Sequence, residues 1–158
     1  MSRRVLPSIL LGGLVAGCFD ITYATMFSYY RSGIAPIRIL QSVASGWLGK
    51  AAFDGGVPAA VLGLVTHFGI ALTAAAVFVL ASRRLPTLVR WPVAWGIAYG
   101  AVIYAVMNLV VLPLSRTQPR KAFPPAVVIT GLIVHMFLIG LPIALAARRG
   151  SVQKADRR

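Results

Sequence analysis

The sequence predicts an all-α integral membrane protein: a bundle of four transmembrane helices with one amphipathic interfacial helix, forming a single membrane domain over residues 1–158. Three observations carry this expectation. Of the 158 residues, 58% are hydrophobic and only 12% charged, with a mean hydropathy of +0.81, whereas a soluble domain is about half apolar and about a quarter charged. The apolar residues gather in four long runs, and roughly 20 apolar helical residues cross about 30 Å of hydrocarbon. The 16 Lys and Arg residues fall at the ends of those runs or between them.

The first run, Val5–Tyr30, follows Ser2-Arg3-Arg4. Secretory and twin-arginine signals begin in a similar way, but no small-residue cleavage site follows and three further runs come after it, so it is expected to remain as the first helix. Cys18, the lone cysteine, lies inside it, so no disulfide framework or thiolate metal cluster is expected.

The connection from Arg31 to Val57 is patterned. Pro36 suits the first position of a helix, and Ile37, Leu40, Ala44, Trp47, Leu48 and Ala51 recur at helical spacing, with Arg38, Gln41, Ser42 and Ser45 on the other side. This predicts an amphipathic helix over about 36–51 lying on the outer interface, with Trp47 anchoring it at headgroup depth. The alternative is a lid or re-entrant segment over a cavity. Asp54-Gly55-Gly56 then turns the chain into the second run, Pro58–Ser82.

A short link around Arg83-Arg84-Leu85-Pro86 makes the third run, Trp91–Leu114, an antiparallel neighbour of the second. The basic, proline-rich SRTQPRKAFPP leads to the fourth, Pro125–Ala147, and a polar tail over 148–158 is expected to be mobile.

If the N-terminus is cytoplasmic, ten of the 16 basic residues lie on the side of both termini, and six lie opposite: Arg31, Arg38, Lys50, Arg116, Arg120 and Lys121. That excess places both termini in the cytoplasm of a bacterial inner membrane. The net charge of +13 comes with no basic stripe interleaved with aromatics, so nucleic acid is not an expected partner. The expected partners are the bilayer, anionic lipids among its components, and a second copy or a larger membrane complex.

The only two histidines sit in near-copies, GLVTHF at Gly63–Phe68 and GLIVHM at Gly131–Met136. The first and third runs share a second pattern, Gly13-x-x-x-Gly17 before Asp20 and Gly96-x-x-x-Gly100 before Tyr104. A duplicated hairpin with a pseudo-two-fold axis along the membrane normal would produce both, and so would chance similarity between helices rich in Gly and Leu.

Counted from the outer ends of the runs, Asp20, His67, Tyr104 and His135 all fall nine or ten residues in, near mid-membrane at about 1.5 Å per residue. Asn108 lies one turn further out on the Tyr104 face. Each of the four has a small residue four positions earlier, namely Ala16, Gly63, Gly100 and Gly131. Residues four apart share a helix face, and small residues mark faces where membrane helices approach, so these polar groups are expected to point into the bundle. Asp20 is then expected to be protonated or to pair with His67 or His135, because an unpaired Asp at the centre costs about 3 kcal/mol.

Three readings of this layer follow. It holds the helices in register as part of a small non-enzymatic protein with an accessory or minor transport role. It moves protons in a solute or ion transporter acting as an oligomer. Or His67 and His135 ligate a b-type haem in a membrane electron carrier. No serine stands in a nucleophile motif, so no catalytic residue and no resident metal is expected; haem b is the one cofactor considered.

His67, VLPL at Val111–Leu114 and GLIVH at Gly131–His135 give the chain from Pro58 to Arg149 a resemblance to the YagU-like small bacterial inner-membrane proteins. The resemblance implies a multi-helix inner-membrane protein without established chemistry.

Overall fold

The computed structural model describes residues 5–117 and 124–155, so Arg3, Arg4, Arg120, Lys121, Arg157 and Arg158 of the charge reading lie outside the described residues. Every regular element among the described residues is helical. Four helices are long and apolar enough to cross a membrane: α1 (Val5–Ser32), α3 (Gly56–Ser82), α5 (Pro92–Leu114) and α6 (Pro125–Ser151). Between them lie α2 (Pro36–Leu48), followed by a 3₁₀ turn at Gly49–Phe53, and the single-turn α4 (Thr87–Arg90). Helical backbone continues beyond Arg148 and Arg149 to Ala155, through most of the stretch expected as a mobile tail; 156–158 lie outside the described residues.

The bundle closes tightly at one end only. Its core joins Val5 and Ala16 of α1, Ala74, Ala75, Phe78 and Val79 of α3, and Ile139, Ile143, Ala144 and Ala147 of α6, with Leu88 of α4 sealing the base. Small residues make this possible, because without an apolar driving force between helices in lipid, close backbone approach is what packs them. Gly13 faces the backbone of Leu72, Gly12 faces Ile143, and Gly17 lies under the Phe68 ring. At the α5–α6 crossing, Gly140 meets the carbonyl of Gly96 and the backbone of Gly100. Further along, α1 carries Tyr23 and Phe27 and α6 carries Val127 in place of such small residues, and these side chains line an opening between the helices.

Two π-helical turns interrupt the second pair of long helices, at Met107–Val111 in α5 and at His135–Gly140 in α6. Proline causes both. Pro113 and Pro142 lack an N–H and their rings clash with the carbonyl four residues earlier. Those carbonyls belong to Leu109 and Leu138, inside the two π turns, and widening the helix there relieves the clash. The regular α3 has no such proline, so the two hairpins differ in this respect.

The buried residues of α2 come from both sides of the expected amphipathic pattern. Gln41, Ala44 and Ser45 are buried, while Ile37, Arg38, Trp47 and Leu48 are exposed. Polar groups of α2 find partners within the chain. The Gln41 amide donates to the Gly56 carbonyl at 3.0 Å and Arg38 donates to the Phe53 carbonyl at 2.6 Å. Trp47 Nε1 donates to Thr66 Oγ1 at 3.1 Å, and the Arg116 N–H donates to the Gly46 carbonyl at 3.0 Å. Gly63 lets the helix settle, since a Cβ there would collide with the Leu40 carbonyl. Left-handed glycines bracket the segment: Gly33 (φ 64°) before it, Gly49 (φ 61°) and Gly56 (φ 55°) after it, a conformation other residues adopt only with strain.

Candidate functional site

The splayed half of the bundle encloses a cavity of about 760 Å³ between α1, α2, α3, α5 and α6. Asp20, His67, Tyr104, Asn108 and His135 all line it. They are arranged as two local pairs, each across one helix–helix contact.

The first pair joins α1 to α3. The Gly17 carbonyl lies 2.9 Å from His67 Nε2; a carbonyl can only accept, so Nε2 carries a hydrogen. The other ring nitrogen, Nδ1, stands 4.0 Å from Asp20 Oδ2. With Nε2 protonated, attraction across that gap requires one more proton, on Nδ1 or on the carboxyl group; without it a lone pair faces a carboxylate. Asp20 and His67 thus face each other across a gap longer than a direct hydrogen bond. Of the two partners allowed for Asp20, His67 is the one in reach, and side-chain exposures of 22% for Asp20 and 12% for His67 leave both accessible from the cavity.

The second pair joins α5 to α6. The Tyr104 and His135 rings meet edge to face, with centroids 5.1 Å apart and planes at 76°. His135 Nδ1 donates to the Gly131 carbonyl, 2.9 Å away on its own helix, so in the neutral ring Nε2 is the accepting nitrogen. Asn108 donates to the Tyr104 carbonyl at 2.8 Å, a bond within one helix at the edge of the π turn.

Comparison of the chain with protein-family models, curated proteins and solved structures returns no match. The site therefore rests on its own geometry.

The small residues four positions before the polar ones perform different tasks. Gly100 admits the backbone of α6 at His135 and Met136, Gly131 makes room for the Tyr104 ring, Gly63 admits α2, and Ala16 belongs to the core. The near-identity of GLVTHF and GLIVHM thus conceals two environments: one histidine binds a neighbouring helix and faces a carboxyl group, while the other bonds its own helix and faces a phenol ring.

Sequence reasoning missed part of the cavity wall. Arg31 was read only as a topology signal, and Arg38 and Ser42 as the polar side of an interfacial helix, yet all three line it, as do Thr66 and Thr117. The π turns were missed as well, although Pro113 and Pro142 within apolar runs were a readable signal for them. Among the described residues, no three His, Cys, Asp or Glu side chains gather as a metal site.

Proposed function

We propose that this is a multi-pass protein of the bacterial inner membrane, with both termini cytoplasmic, that binds a small solute in the inter-helix cavity and couples its binding to one proton on the Asp20–His67 pair. The YagU-like relationship belongs to the same reading, and so does the absence of catalysis. The observation that carries it is the opening of an Asp–His pair, 4.0 Å apart, into a cavity of about 760 Å³, a size typical of small-molecule sites, which run roughly 300–1,000 Å³. Intramembrane carboxylates and imidazoles mark ion and proton pathways by default.

Engagement of His67 Nε2 by the Gly17 carbonyl favours this reading over a haem, whose iron takes a free imidazole nitrogen from each axial histidine. A purely architectural layer would need no cavity beside it.

The test is proton flux into proteoliposomes under an imposed pH gradient. Wild-type protein is expected to exceed empty liposomes, and Asp20→Asn and His67→Gln to fall to the empty level. Unchanged flux in both variants sinks the coupling. An accessory role would show as co-purification with a larger complex that survives both substitutions, and a haem as a Soret band lost in His67→Gln.

A further inference from the structure

The charges on the cavity wall are unevenly placed, and this bears on what the cavity holds. Asp20, 4.0 Å from His67, lines it from α1. Eleven residues along α1 comes Arg31, about 16 Å away at 1.5 Å per residue, and Arg38 of α2, just past the turn that ends α1, lines the wall as well. Among the described residues neither arginine has a carboxylate within salt-bridge distance. Arg38 directs one nitrogen to the Phe53 carbonyl and to Gln41, at 2.6 and 3.3 Å, and Arg31 lies over the Phe27 ring, 5.7 Å from its centre. A guanidinium carries five N–H donors, so both retain donors for a ligand. Between the arginines and Asp20 the wall is mainly apolar, with Ala24, Phe27, Ile39, Val43 and Val127.

We infer that the cavity receives a single-chain amphiphile with an anionic head, its carboxylate or phosphate held by Arg31 and Arg38 and its chain lying along the apolar wall toward the Asp20–His67 pair. This rests on the solute-binding reading above and names the solute class. Guanidinium groups suit carboxylate and phosphate because their planar fork can donate two parallel bonds to either. A single chain suits a cavity of about 760 Å³, which lies within the range of small-molecule sites, roughly 300–1,000 Å³.

The test uses the full chain in nanodiscs of zwitterionic phosphatidylcholine, with radiolabelled dodecanoate as the probe and empty discs as the blank. Dodecyl phosphate is expected to displace the probe, while dodecyltrimethylammonium and inorganic phosphate are not. The double variant Arg31→Gln/Arg38→Gln is expected to bind at least about tenfold more weakly, and Arg31→Lys/Arg38→Lys to recover most of the loss, which separates head capture from a folding defect. The proposal is overturned if the cationic amphiphile competes as well as the anionic one, if inorganic phosphate alone competes, or if the Gln double variant binds like wild type. Displacement by phosphatidylglycerol added to the discs would overturn the single-chain assignment and identify a membrane lipid as the occupant. Failure of the coupling itself is read separately: wild-type protein that binds dodecanoate but gives no proton flux above empty liposomes sinks the coupling and leaves the head assignment standing.

Discussion

Replacing Gly100 with alanine should loosen the α5–α6 crossing, and the structure gives the size of the effect. A Cβ on Gly100 would stand 2.5 Å from the Met136 Cα and 2.6 Å from the His135 carbonyl carbon, besides colliding with the His135 oxygen. Ordinary contact begins at 3.4 Å, so the helices must part by about 0.9 Å (3.4 − 2.5). The obstacles are backbone atoms, which have no rotamer to change. The cost therefore belongs at the upper end of the overpacking range, about 3 kcal/mol, offset by about 1 kcal/mol of helix propensity gained when alanine replaces glycine. The expected net loss is about 2 kcal/mol. Gly69 supplies the control, since a Cβ there meets nothing within 4 Å, so Gly69→Ala should gain up to about 1 kcal/mol. Reversible unfolding in mixed micelles, followed by circular dichroism, reads both. Equal stability of the two variants would refute the backbone crossing as the element that joins α5 to α6.

Three further outcomes are expected. Tyr99→Phe removes the 2.7 Å hydrogen bond from α5 to the Ala74 carbonyl of α3 but keeps the ring against Phe78; it should cost about 0.6 kcal/mol in the same unfolding assay, and a loss above about 2 kcal/mol would give Tyr99 a larger role than one bond. Trp47→Phe removes the tether to Thr66, so hydrogen exchange should rise several-fold across Pro36–Leu48 with no change in α3, whereas uniform exchange would show that the other polar contacts alone hold α2. Cys18 is exposed on the outer surface of α1, where the four-span reading puts lipid; a membrane-impermeant maleimide should label it only after denaturation, and labelling in intact vesicles would contradict that reading.

The long helices were legible because hydrocarbon thickness leaves a direct mark on sequence: four apolar runs, each of crossing length, ended by charges, glycines or prolines. The inward side of the polar residues was legible from Ala16, Gly63, Gly100 and Gly131, since a small residue one turn away shares the face. The identity of the neighbour was not. Gly63 meets α2 and Gly131 meets the Tyr104 ring, and spacing within one helix carries no information about what packs on it. Which residues of α2 are buried was hidden for a related reason. Gln41 and Ser45 bond to the Gly56 carbonyl and to Thr117, partners that other parts of the chain bring to them. The difference between His67 and His135 was hidden because it depends on carbonyls and side chains brought in by other helices or turned by a π segment.

The uneven packing of the bundle also determines from which side it can be filled. At the end that carries Arg83, Arg84, Arg148 and Arg149, the seal consists of Ala75, Phe78, Ile143 and Ala144, each no more than 2% exposed, and emptying the cavity through that end would mean prising apart the best-packed atoms of the molecule. At the other end the wall is α2, attached by a handful of hydrogen bonds and bracketed by glycines. One copy of the chain is thus built as a cup, with its rim at α2 and a closely packed base. Under the proposed reading, a solute reaches the cavity on the α2 side.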